Sequence, residues 1–187
     1  MGARRTPRDA WVEEGLRALA SGGVDAVRVE ALAKALGVTK GGFYGYFADR
    51  DALLAAMLET WERESTADVL ERVRELDGDP REKIRLAGQL TLSADRLLPI
   101  DLAVRDWARR DEAAAACLRR VDNARMALLR EMIGTFCDDR DEIEARGLLA
   151  FSLAIGSHFL AAEHPGRTPA EVRAMAADIV LGRPRGR

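Results

Sequence analysis

The sequence predicts an all-α fold of nine helices. Three observations carry this. Ala and Leu, among the best intrinsic helix formers, dominate a composition that is 48% hydrophobic but only 5% aromatic. Apolar residues recur at helical spacing along most of the chain. No run alternates β-branched with polar residues, as a half-buried strand requires. A length of 187 residues leaves room for one to two small domains with a real core.

The elements follow in order. Thr6, Pro7 and Asp9 suit the cap, first position and first turn of the first helix. Trp11, Val12, Leu16, Leu19 and Ala20 give it an apolar stripe, and Ser21-Gly22-Gly23 stops it. A second helix runs from about Val29 to Leu36, Gly37 ends it, and Val38 fills the turn. Thr39 is placed to cap a short third helix reaching about Tyr46. Asp49 caps a fourth, whose stripe of Leu53, Leu54, Met57, Leu58 and Trp61 keeps phase through Val73 to about Leu76. Asp77-Gly78-Asp79-Pro80 is the clearest break in the chain. A fifth helix then runs to about Ala94, Leu98-Pro99-Ile100 bends the path, and a sixth covers Leu102–Arg109. Asp111 caps a long seventh helix reaching Phe136. The eighth spans about Glu142–Ala162, and Thr168-Pro169 start a ninth that ends near Leu181. Residues 183–187 read as a disordered tail.

Composition sets aside several classes. Net charge is -2, so the chain as a whole is not a basic nucleic-acid binder, although a single basic face would suffice. Arg4, Arg5 and Arg8 form either a short arm that lies along phosphates or a plain disordered tail. Cys117 and Cys137 lie far apart with no metal-like spacing, as suits a chain in the cytoplasm. Met1 to Arg8 is polar and basic with no apolar segment behind it, so no signal peptide is expected. The most apolar stretch, Gly147 to Gly156 with a short extension, falls short of the roughly 20 residues that span a bilayer. No metal or cofactor is expected, and no enzyme. His158 and His164 have no third ligand, Gly41-Gly42 lacks the strand and Lys-Ser/Thr of a phosphate loop, and no acid pair or nucleophile elbow is evident.

The segment Leu32-Ala33-Lys34-Ala35-Leu36-Gly37-Val38-Thr39-Lys40-Gly41-Gly42-Phe43-Tyr44 has the grammar of a helix-turn-helix. Ala33 is small enough for a second helix to approach the first at a steep angle. Gly37 permits the sharp turn, Val38 plugs the corner, and Phe43 and Phe47 anchor the second helix. That leaves Thr39, Lys40, Gly42, Tyr44, Gly45 and Tyr46 on a face that can enter a major groove. Gly41, Gly42 and Gly45 each cost about 1 kcal/mol of helix propensity relative to Ala. Close approach of another backbone, here DNA, is a reason to keep them.

On these residues the stretch Gly23 to Met57 resembles the DNA-binding domain of the TetR family: the Leu-Ala pair, the Gly-Val-Thr turn and a Tyr-x-Tyr-Phe ending where the family has Tyr-x-His-Phe. The resemblance covers about the first third of the chain, and the later helices match by number and length only. It implies a three-helix DNA-binding domain at 1–48 and a six-helix ligand-binding and dimerisation domain at 49–182. It implies that Thr39, Tyr44 and Tyr46 bond to phosphates and that Lys40 reaches a base edge or phosphate. Gly41, Gly42 and Gly45 then lie against the DNA, with Gly42 and Gly45 where relatives often place base-reading side chains. Arg50 stands where the family has Lys, near the DNA backbone. Arg28 takes the place of a capping Thr or Ser and is either a phosphate contact or a solvated charge. With so few side chains able to read bases, Lys40 and DNA shape should carry much of the sequence preference.

The resemblance further implies a homodimer through residues 142–181, a palindromic operator on double-stranded DNA, and repression relieved by a small-molecule effector. The sequence agrees on the dimer: Leu148, Leu149, Phe151, Leu153, Ile155, Phe159 and Leu160 spread around much of the eighth helix, more apolar surface than one chain readily covers. Trp61, Leu90, Leu97, Trp107, Met126, Leu129, Phe151 and Ile155 are pocket candidates, each equally readable as core. His158 is either a pocket donor or a satisfied core histidine. An Ala-Leu lining favours an apolar effector. The competing class is a helical adaptor that binds no DNA.

Overall fold

A computed structural model describes residues 7–92 and 96–182, and side chains over the same ranges apart from 90–92. Among the described residues there are nine α-helices and no strand: α1 (Arg8–Gly22), α2 (Val29–Ala35), α3 (Arg50–Ser65), α4 (Ala67–Arg74), α5 (Pro80–Leu92), α6 (Leu97–Trp107), α7 (Glu112–Ile133), α8 (Arg140–Gly156) and α9 (Pro169–Leu181). Two 3-10 helices, Val24–Ala26 and Lys40–Gly45, lie either side of α2. The all-α class expected from the sequence is the class observed.

Several helix starts follow the expected chemistry. The Asp49 carboxylate accepts from Ala52 N–H at 2.8 Å ahead of α3, and Asp111 does the same for Ala114 ahead of α7. Thr168 and Glu171 form a reciprocal capping box with Pro169 at the first position of α9. Thr6, expected to cap α1, lies outside the described residues, as do Arg4, Arg5 and the tail at 183–187; the residue preceding α1 is Pro7.

Four expectations need correcting. The third helix is a 3-10 helix over Lys40–Gly45, without a side-chain cap from Thr39. Its three glycines remove the propensity that an α-helix would draw on. The helix expected from Asp49 to Leu76 is two, because Thr66 departs from helical geometry (φ -124°, ψ -75°). Ser65 and Thr66 are weak helix formers whose hydroxyls compete for backbone groups. Pro99 does not bend the path ahead of the sixth helix but sits in the first turn of α6, where its missing N–H costs no intrahelical bond. Finally, α8 starts at Arg140, where the Asp139 carboxylate accepts from Asp141 and Glu142 N–H, and ends at Gly156 rather than Ala162.

The chain divides into two compact units. The first comprises Met1–Ser65 and Ala94–Val121. Its core joins Trp11, Leu16 and Leu19 of α1, Leu32 of α2, Phe43 and Phe47, Leu53, Met57 and Trp61 of α3, Val104 and Trp107 of α6, and Cys117 and Val121 of α7. Helices α1 and α3 approach closely at Gly15, where a Cβ would sit only 2.6 Å from Met57 Sδ. Arg96, just before α6, ties this unit together by donating to Glu64 of α3 at 2.5 Å and to Glu13 of α1 at 2.7 Å.

The second unit comprises Thr66–Ser93 and Asp122–Arg187. A smaller core of Val69, Val73, Ile84, Ala87, Met132, Ile133 and Leu181 holds it. Arg85 reaches Asp178 at 2.5 Å and Arg81 reaches the Leu181 carbonyl at 3.0 Å, so α5 grips the end of α9. Gly147 lets α8 approach α7: a Cβ there would lie 3.4 Å from Met126 Cε and 3.9 Å from Leu129 Cβ. The α8–α9 region is also the apolar surface of this unit, with Leu148, Leu149, Phe159, Leu160, Met175 and Ile179 all exposed, Ile179 to 83%.

Candidate nucleic-acid interface

The site is built from α2 outward. Leu32 and Ala33 are buried and fix α2 to the core of the first unit. The chain then turns at Gly37, whose φ of +67° lies in the left-handed region that side chains with a Cβ rarely adopt. Val38 N–H donates back to the Ala33 carbonyl at 2.9 Å, which closes the turn. From Thr39 the backbone enters the 3-10 helix, pinned from below by Phe43, which has no solvent exposure. The Phe43 ring meets Trp11 edge-on at 5.4 Å and stacks with Phe47 at 5.3 Å. Aromatic pairs of this geometry add stability beyond their buried area, so a weak helix is held by its anchors rather than by its propensity.

The outward face then follows. Thr39, Lys40, Gly41, Gly42, Tyr44 and Gly45 are exposed, Tyr44 to 54% although its ring packs edge-on against Phe43. Lys40 forms an ion pair with Glu30 on α2, and its Nζ lies 6.0 Å from the centre of the Tyr44 ring. The pair pushes Lys40 above its ordinary pKa and Glu30 below its own, chiefly through their mutual hydrogen bond. Neither Gly41 nor Gly42 has a positive φ. A Cβ at Gly41 would meet only Thr39 Oγ1 at 3.8 Å, and one at Gly42 only Trp11 at 3.9 Å, both ordinary contacts. The fold itself therefore demands glycine at neither position.

The remaining predicted contacts are placed differently. Arg28 is exposed in extended backbone ahead of α2 and makes no side-chain cap, as its chemistry requires. Tyr46, expected on the exposed face, is half-buried and packs against the core of the first unit. Arg50 is turned inward: its Nε donates to the Val27 carbonyl and its Nη2 to the Val24 carbonyl, both at 2.6 Å. Arg8 has its guanidinium 5.0 Å from the Phe47 ring centre.

The pocket candidates fall in both units. Trp61 and Trp107 are core residues of the first, where Leu97 is half-buried. In the second, Met126 and Leu129 meet at Gly147, and Phe151 and Ile155 lie half-buried on α8. His158 is half-buried in the turn after α8 rather than on the helix. The side chain of Leu90 lies outside the described residues. Sequence reasoning missed Glu30, the partner of Lys40. Its signal was an acid in the first turn of α2, ten residues before Lys40 and across the turn from it. It also missed Asp101, fully buried in α6 and bonded to Arg105 Nε at 2.8 Å.

Among the described residues no group of three or more His, Cys, Asp or Glu side chains is placed to hold a metal ion, and no helix is long and apolar enough to cross a membrane.

A short anchored helix after a tight turn, with exposed Lys40 and Tyr44, has the form of a helix-turn-helix. Residues 12–57 match the family model of the bacterial regulatory proteins of the tetR family. The match is confined to the N-terminal part of the chain. Solved structures extend the likeness of fold to nearly the whole chain. A transcriptional regulator of Rhodococcus sp. Rha1 is 22% identical, with a TM-score of 0.73 over 95% of both chains. A regulator of Saccharomonospora viridis, solved with choline, is 17% identical, with a TM-score of 0.77 over 96% of this chain and 98% of that one. AibR, solved with isovaleryl coenzyme A and operator DNA, is 16% identical, with a TM-score of 0.67 over 95% and 98%. No curated protein matches the chain in sequence.

Proposed function

We propose that this regulator is a ligand-responsive repressor in the cytoplasm that binds a palindromic operator as a homodimer and leaves it when a small, apolar molecule binds. Residues 1–48 read the DNA and residues 49–182 sense and dimerise. The observation that carries the reading is the exposure of Lys40 and Tyr44 on a helix whose other side is locked by Phe43 and Phe47. Tyr44 and Thr39 bond to phosphates, Lys40 reads a base edge, and Gly41, Gly42 and Gly45 let the sugar-phosphate backbone come close. Arg28 adds a phosphate contact at the start of α2. Tyr46 and Arg50 serve mainly by holding the unit in shape.

The dimer is supported by the exposed apolar set on and after α8 and on α9. Leu148, Leu149, Phe159, Leu160, Met175 and Ile179 account for six of the seven exposed large apolar side chains among the described residues. Two helix-turn-helix units related by a two-fold axis read half-sites about one helical turn apart. The effector reading draws on relatives of the same fold, one solved with choline and one with an acyl coenzyme A. Within the second unit, Met126, Leu129, Phe151, Ile155 and His158 are the proposed lining.

Selection of genomic fragments on the purified protein tests this. Enrichment of an inverted repeat is expected. Recovery of fragments without a shared motif contradicts it.

A further inference from the structure

The ion pair between Lys40 and Glu30 has a consequence for how DNA is chosen. Glu30 is an exposed acid on α2, two residues after the extended Arg28, and it holds the one side chain of the 3-10 helix that can donate from a flexible amine. Three features converge there. The carboxylate engages Lys40 Nζ directly, the Tyr44 phenol ring flanks the same amine at 6.0 Å, and both partners stay solvent-exposed. The amine is thus restrained without being buried. It is parked beside the glycine track rather than free to sweep over any nearby phosphate.

We infer that Glu30 is a specificity-determining residue: it restrains Lys40, makes indiscriminate phosphate contact unfavourable, and directs the amine to a base edge. This rests on the DNA-reading role of Lys40 proposed above. The physics is simple. On random duplex, Lys40 gains a phosphate only by leaving Glu30, and Glu30 is then left close to a polyanion. Like charges brought together oppose that complex. On the preferred duplex, Lys40 donates to guanine O6 or N7, and the Glu30 carboxylate can remain its partner or accept from the amino group of a neighbouring cytosine. The penalty is then offset. Glu30 therefore weakens binding to random sequence more than binding to the preferred one, which is the definition of specificity as a difference of affinities.

The experiment uses the full chain and two probes: a duplex selected from a randomised library by the wild-type protein, and the unselected library itself. Affinities are measured for wild type, Glu30→Gln, Lys40→Ala and the double variant, with circular dichroism confirming equal helicity. Glu30→Gln is expected to tighten the unselected library about tenfold and the selected duplex by less than about threefold. Its salt slope on the unselected library should steepen by nearly one per protomer, or nearly two for the dimer, as each freed Lys40 neutralises one more phosphate. Both effects should vanish in the Lys40→Ala background. Equal tightening on both probes, or the same change without Lys40, overturns the inference and leaves Glu30 as a diffuse negative charge. No change on either probe also overturns it, while leaving DNA binding itself intact. A wild-type protein that selects no duplex overturns the reading beneath it, and this inference with it.

Discussion

Arg50 Nε lies 2.6 Å from the carbonyl oxygen of Val27, and this bond joins the start of α3 to the segment that leads into α2. A second bond from the same guanidinium, to Val24 at 2.6 Å, satisfies another carbonyl at the 3-10 helix. The side chain is half-buried, so water competes poorly with these charge-assisted bonds and they count towards stability. Replacing Arg50 with Ala should cost about 2–3 kcal/mol, since hydrogen bonds to charged groups contribute about 1.5–3 kcal/mol and the Val27 carbonyl loses its donor. Arg50→Lys should recover part of that. Urea denaturation monitored by circular dichroism measures both, and an unchanged midpoint for Arg50→Ala would contradict the stapling role.

Gly42 offers a test that separates stability from recognition. Its backbone is compatible with Ala, and a Cβ meets only the Trp11 ring at a comfortable 3.9 Å. Gly42→Ala should therefore leave stability unchanged or raise it by about 0.5–1 kcal/mol. If DNA approaches this backbone closely, the same methyl should weaken duplex binding at least about tenfold, which corresponds to about 1.4 kcal/mol. Thermal melts and fluorescence anisotropy on one preparation give the two numbers. A variant that is both stable and fully competent for DNA would remove the close-approach argument.

Tyr44 and Lys40 should fail in different ways. Tyr44→Phe deletes the proposed phosphate donor and should weaken every sequence by a similar factor. Lys40→Ala should lose about 1–3 kcal/mol on the preferred operator and discriminate less among operator variants. Competition binding across a panel of single-base changes distinguishes the two, and an unaltered preference in the Lys40 variant removes the assignment.

Cys117 should be chemically silent. It is buried in the core of the first unit, where burial and the nearby Glu62 carboxylate push its thiol up to about 12. Only the thiolate is nucleophilic, so a thiol reagent at pH 8 should label half-exposed Cys137 and leave Cys117 until the protein unfolds. The same shift has a stability sign. A thiol whose folded pKa is raised contributes stability that is fully present below its unfolded value, near 8.5, and is lost as pH rises towards the folded one. Denaturation midpoints should therefore fall above about pH 9, and a Cys117→Ser variant should lose that part of the dependence.

The exposed apolar residues of the second unit predict an association state. Ile179 is 83% exposed on α9. The wild type is expected to sediment as a dimer in sedimentation velocity, and Ile179→Glu as a monomer. A wild-type monomer at micromolar concentration would contradict the dimer instead.

Much of this was legible in the sequence because it rests on local chemistry. Asp49, Asp111 and the Thr168–Glu171 box each announce a helix start through their own backbone neighbours. The spacing of Leu53, Met57 and Trp61 announces a buried face. Gly37 before Val38 announces the turn, and Phe43 with Phe47 announces the anchor. What the sequence hid depends on contacts distant along the chain. Arg50 reads as a charge near DNA until Val24 and Val27 are found beneath it. Glu30 is unremarkable until Lys40, ten residues on, is folded back beside it across the turn. The break at Thr66 was hidden for another reason: apolar periodicity continues through it, and only weak local propensity argues for a stop. Asp101 was passed over because a buried carboxylate shows itself only when Arg105, one turn on, is seen to be its partner.

Binding of the selected duplex across a salt series is the most direct test of the central claim that the face carrying Lys40 and Tyr44 grips DNA. The account predicts that log affinity falls linearly with log salt, by several units of slope for a dimer making several phosphate contacts. It also predicts that a Lys40→Ala/Tyr44→Phe protein of unchanged fold binds at least about a hundredfold more weakly, which corresponds to about 2.8 kcal/mol. Wild-type affinity indifferent to salt, or a double variant that binds as tightly as the wild type, would contradict it.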